Sequence, residues 1–121
     1  MQELLNIMRQ EVELHEQLIS QLQKESEGFG RLRGSELLKI QGEKSRCVRA
    51  TARLERERIK FVEKLADSWN TKLKELTLSV IIDRTEDEYS EPLQHCFERL
   101  KSLVAKSAKL RMKTLSRHQV A

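Results

Sequence analysis

Aromatic side chains are nearly missing from this chain: three Phe, one Trp and one Tyr among 121 residues, 4% of the total. Enclosed substrate pockets are usually walled by such rings and by plentiful apolar side chains. Here only 38% of the residues are hydrophobic and 35% are charged. Proline and glycine are also scarce, one and four residues, so long stretches carry nothing that forces a turn. Runs of β-branched residues are limited to the short segment 78–82, and Leu, Glu, Lys, Gln and Arg fill the rest. These are strong helix formers. No fully apolar run exceeds three residues, as in Val80-Ile81-Ile82, far below the roughly 20 residues that span a bilayer. The N-terminal residues show neither the basic nor the apolar region of a secretion signal. The expectation is an all-α protein, cytoplasmic and without membrane insertion.

The residues that carry chemistry are equally sparse. Cys47 and Cys96 stand far apart with no CxxC spacing, and read as reduced, half-buried small residues. His15 falls on the first predicted helix and His95 and His118 far apart on the third, outside any HxxxH or ExxH pair that would ligate a metal. His15 reads as a seam residue, the other two as solvated. Gly28, Gly30 and Gly34 do not make a phosphate loop, because no strand precedes them and no Lys-Ser/Thr follows. The reading is a non-enzyme with no catalytic residue, metal or cofactor.

What the chain does have is periodicity. Leu4, Met8, Glu11, His15, Leu18, Leu22 and Glu25 step by four and three, which predicts a helix over 2–27 with a heptad seam. Three glycines in 28–34 predict a turn, with Phe29 and Leu32 over the end of the bundle and Ser35 as an N-cap. A second helix over 36–69 shows the same step through Leu37, Gln41, Lys44, Val48, Thr51, Glu55, Arg58, Val62, Leu65 and Trp69. Folding the chain back at 31–35 sets Glu11 beside Arg58 and Glu25 beside Lys44. These pairs fix register, since a lone carboxylate in a seam is costly to bury. A short amphipathic piece follows, capped at Thr77, then a loop over 83–90. Ser90-Glu91-Pro92 reads as a helix start, with proline in the first turn. The fold class is an elongated antiparallel helical hairpin (1–69), a short helix and loop (70–91) and a third long helix (92–121), in one domain.

The net charge of +4 is arranged in blocks. Residues 1–27 carry two basic against six acidic side chains, 31–64 eleven against five, 65–98 three against eight, and 99–121 seven against none. An acidic first helix beside a basic second one suits a hairpin with complementary flanks. The basic end has no interleaved aromatics and belongs to no nucleic-acid-binding motif. Partner binding is therefore preferred over a nucleic-acid surface.

Glu11, Leu18, Leu22 and Glu25, then Glu43-Lys44, then Leu54-Glu55 with Arg58, resemble the pattern of the FlgN-like flagellar export chaperones. Thr77-Leu78 before a short helix and a long final helix extends the resemblance over about residues 5–110. It implies a cytosolic, ATP-independent chaperone of the hook-associated (hook-filament junction) proteins. Such a chaperone masks their C-terminal helical ends and delivers them to components of the type III export apparatus. It further implies that the C-terminal helix binds the client, through Leu93, Phe97, Leu100, Leu103, Val104, Ala108, Leu110 and Met112. About half of those in 93–103 would complete the bundle core, and 104–120 is the stronger part. A homodimer remains compatible with an apolar face left open by three helices. Two other classes stay open, a coiled-coil stalk component of a secretion apparatus and a basic nucleic-acid binder.

Overall fold

A computed structural model describes residues 1–28 and 30–120, with side chains described through Lys113. The expected end-covering role of Phe29, the solvated reading of His118 and the last apolar positions, Leu115 and Val120, lie outside the described side chains. The chain forms α1 (Gln2–Glu27), α2 (Gly34–Ser68), a single 3-10 turn (Leu73–Glu75), α3 (Leu78–Asp83) and α4 (Asp87–Val120), with no strand among the described residues.

Helix α1 ends where Gly28 donates its N–H to Lys24 O at 3.0 Å. Leu32 folds back over that end so closely that a Cβ on Gly28 would lie 2.5 Å from its Cγ. Helix α2 then starts earlier than the Ser35 cap predicts. Its N-cap is Arg33, with no side-chain capping bond, and Leu37 N–H reaches Arg33 O at 3.0 Å. The first-turn N–H groups lack helical partners in any case, so Gly34 and Ser35 enter the helix without loss. At the other end Asn70 takes a positive φ of 51°. Asn70 N–H bonds Asp67 O at 3.2 Å and Thr71 N–H bonds Ala66 O at 2.9 Å. This is the double closure of a left-handed helix stop, which asparagine tolerates. Thr77 caps α3 by accepting from Val80 N–H at 3.3 Å, as its position predicts.

The 83–90 loop is a correction. Helix α3 runs through Asp83 and α4 begins at Asp87, so only three residues separate them. Tyr89 and Ser90 donate to Glu86 O at 2.9 and 3.0 Å. Asp87 and Glu88 place negative charge in the first turn, where the helix dipole favours it. Pro92 consequently lies inside the helix, in its second turn rather than its first.

The three long helices run up, down and up, with α1 in the middle. The numbers in Glu11–Arg58 and Glu25–Lys44 both total 69, so α2 is antiparallel to α1. Leu93 and Cys96 share a cluster with Leu4, Leu5 and Met8, while Leu110 packs on Leu18 and Leu22. Helix α4 is therefore parallel to α1. Among the described residues α1 packs along both partners, whereas no Cα of α2 lies within 8 Å of one in α4. Two apolar clusters result. The larger gathers Leu4, Met8, Ala66, Leu76, Ile81 and Leu93 where α3 closes the bundle; the smaller holds Leu18, Leu22 and Cys47, with Leu110 against it.

The buried face of α2 is a second correction. Lys44, Thr51, Arg58 and Leu65 are partly buried, as the 4-3 step predicts. Their companion column is Ile40, Cys47 and Leu54, not Gln41, Val48 and Glu55, while Phe61 and the predicted Val62 are both partly buried against the core. One residue is about 100° around a helix, and the more apolar column turns toward α1. Cys47 is accordingly fully buried rather than half-buried, and Cys96 is also buried. Leu37, at the upper end of the predicted seam, is exposed, because α1 has ended before that level. Leu54→Ala is expected to cost about 2–5 kcal/mol in urea unfolding, against about 0.5 kcal/mol or less for Leu38→Ala on the exposed face. Equal losses would show that the seam has been assigned to the wrong columns.

Candidate functional site

Between the two apolar clusters the core becomes polar. Glu11 is 1% exposed, and its Oε1 lies 3.2 Å from Arg58 Nε. The two atoms attract as charges without forming an aligned hydrogen bond, and neither finds another hydrogen-bond partner among the described residues. His15 Nδ1 and Thr51 Oγ1 are likewise buried and unbonded. Burial raises the Glu11 pKa above the ordinary carboxylate value, an effect that Arg58 offsets in part and Glu55 reinforces. Burial lowers the His15 pKa; Glu55 opposes this shift and Arg111 adds to it. His15 thus stands within electrostatic reach of α2 on one side and α4 on the other.

Higher in the bundle, Lys44 Nζ meets Glu25 Oε2 at 2.8 Å and Gln41 Nε2 donates to the same oxygen at 2.9 Å. This carboxylate is well satisfied, unlike Glu11. Arg99 reaches Glu16 at 3.4 Å, so the acidic first helix also holds the start of the basic C-terminal block. This exposed pair contributes little to stability. Both cysteine thiols have pKa values raised chiefly by burial, which leaves them unreactive. Among the described residues no group of three His, Cys, Asp or Glu is placed to hold a metal ion, and no helix is long and apolar enough to cross a membrane.

The eight apolar candidates on the last helix divide by face. Leu93 and Leu103 are buried in the seam with α1, and Leu110 is half-buried against the upper cluster. Phe97 and Leu100 are half-buried, and Lys101 Nζ lies 4.7 Å from the centre of the Phe97 ring. Val104, Ala108 and Met112 are exposed, Met112 at 71%. Only this last group offers open apolar surface. Helix α2 carries a comparable surface outside the predicted site: Leu38, Val48 and Ile59 are all exposed. The signal for it is legible, because α2 has apolar residues in more columns than one neighbouring helix can cover.

The match to the FlgN protein family covers residues 1–112, a span that includes both polar pairs of the α1–α2 seam. The chain belongs to the FlgN family. Neither a curated protein nor a solved structure gives a significant match. FlgN proteins form a family of flagellar chaperones rather than enzymes. The surfaces that matter for this FlgN protein are accordingly those that can hold another protein.

The polar centre of this FlgN bundle has a testable pH signature. With its folded-state pKa lowered, His15 takes up a proton less readily than in the unfolded chain. It therefore costs stability as pH falls from about 6.5 toward the lowered value. Glu11 acts in the opposite sense. Its raised value means that stability is lost as pH rises from about 4.3 through that value. In urea titrations at about pH 7 and about pH 5, His15→Gln should lessen the loss on acidification and Glu11→Gln should deepen it. Changes of the same sign would refute the assignment.

Proposed function

We propose that the protein is a cytosolic, ATP-independent chaperone of flagellar type III export. It binds the C-terminal helical ends of hook-associated proteins, masks their assembly-prone faces and hands them to the export apparatus. The observation that carries the reading is the FlgN family match over residues 1–112, which identifies the class of process. The exposed Val104, Ala108 and Met112 on α4, bordered by half-buried Phe97 and Leu100, support a client site there. An amphipathic client helix laid along them would bury its apolar side, a common mode of helix recognition. Leu93, Leu103 and Leu110 act on this surface indirectly, by holding α4 against α1.

A coiled-coil stalk is the weaker alternative. Its rod would be an uninterrupted hairpin, whereas here α2 stops at Ser68 and α4 returns along the whole of α1. Co-purification with C-terminal fragments of hook-associated proteins tests the proposal. Wild type should retain at least one fragment, and Val104→Asp with Met112→Asp should weaken its retention about tenfold or more, about 1.4 kcal/mol. Failure of the wild type to bind any fragment would overturn the client class. Undiminished binding by the double variant, or by a chain truncated after Leu103, would overturn the α4 site.

A further inference from the structure

Helix α2 has two apolar stripes, and α1 covers only one. The second runs along columns 38, 45, 52, 59 and 41, 48, 55, 62, which share one side of a helix in a 4-3 step. Leu38, at 74%, Val48 and Ile59 are its exposed apolar members, separated by the small Ser45 and Ala52. From 38 to 59 the stripe is about 32 Å long at 1.5 Å per residue. Its lower end runs into a cleft of about 310 Å³, where Ile59 and Val62 face Leu73, Leu76, Leu78 and Ile81.

This stripe faces toward the open side between α2 and α4. At its lower end Ile59 and Val62 line a cleft with Leu78 and Ile81 of α3, which itself packs on α4, and Glu55 and Arg111 both act on His15 of α1, so the two helices flank the same floor. Arg111 shares a heptad column with Phe97 and Val104, and Val104 is exposed. The two walls stay apart, with no Cα of α2 within 8 Å of one in α4 among the described residues. Three sides of a four-helix packing are present and the fourth position is open.

The borders of this trough are predominantly basic. On the α2 side, Arg49 and Arg56, in the column next to the stripe, are exposed and make no ion pair among the described residues, and Glu63 is the acidic member of that column. On the α4 side stand Lys101 and Arg111, also exposed and outside the ion pairs described. We propose that the trough between α2 and α4 receives one amphipathic helix of a partner protein, apolar on one side and flanked by acidic residues. The inference rests on the chaperone reading and deepens it by adding α2 as a binding wall and by stating the chemistry of the bound helix. A second copy of the chain is a poor occupant, because its own trough walls carry the same positive sign. Duplex nucleic acid would gain nothing from the apolar stripe, and a flat bilayer would not reach the floor of a concavity.

The test uses the full chain and fluorescent peptides spanning the C-terminal helix of each hook-associated protein, read by anisotropy. Val48→Asp with Ile59→Asp should weaken the best-binding peptide about tenfold or more while leaving the far-UV circular dichroism of the protein unchanged. Arg49→Glu with Arg56→Glu should weaken the same peptide and flatten its salt dependence. If the wild type binds a peptide and the Val48/Ile59 variant binds it within about twofold, the trough is overturned and the chaperone reading stands. If the wild type binds none, the chaperone reading falls and the trough with it. Tighter binding to duplex DNA or phosphatidylglycerol vesicles, lost in the arginine variants, would also overturn the proposal by showing a general anion surface.

Discussion

Everything in this bundle is organised by the burial of α1 on two sides. It is the helix that packs along both α2 and α4, which do not approach each other among the described residues. Ten of its 26 residues are buried, against four of 35 in α2. A helix used this way must place apolar side chains around a wide arc, and Leu4, Met8 and Leu22 do so beside Leu5, Ile7 and Ile19. The outer helices need only one covered stripe each. Their remaining apolar residues are left on the surface, and this division separates the scaffold from the open apolar surface.

The polar residues inside the α1–α2 seam do different work at its two levels. Glu25 accepts from both Lys44 and Gln41 and so fixes register at modest cost. Glu11 is more deeply buried, with one poorly aligned charge partner. Such a group adds little net stability, since desolvation rivals the attraction, yet any slipped register would leave it with no partner at all. A pairing of Arg58 with Glu11 thus opposes sliding of the hairpin more than it strengthens it. The price is an interruption between the apolar clusters, where His15 and Thr51 add further unbonded polar atoms.

The legibility of this fold in its residues follows from the same asymmetry. The register of α1 is plain because its buried arc is wide and any 4-3 reading falls inside it. The columns of α2 are harder, because two stripes compete and the shared positions Lys44, Thr51 and Arg58 suit either neighbour column. Ile40 and Leu54 against Gln41 and Glu55 is the deciding contrast, and it lies in side-chain character rather than spacing. The start of α4 was obscured by Pro92, whose preference for a first turn pointed too late, while Asp87 and Glu88 gave the acidic first-turn signal one turn and more earlier. On the candidate site, the sequence pattern leads to α4. It does not distinguish Leu103, committed to α1, from Val104 one residue on, because that choice depends on where the neighbouring helix stands.

The unevenness of packing completes the link from fold to function. At the end closed by α3 the core cluster has nine buried members, and Arg84 stacks over Trp69 at 4.3 Å. Among the described residues, the second cluster, beyond the polar centre, has three buried members with Leu110 against them. Helices α2 and α4 thus share α1 as their common support. The hairpin register is set apart from the open side, because Glu25–Lys44 lies between α1 and α2 and not across the gap. The scaffold and the open surface are thus separate sets of residues in one small helical protein.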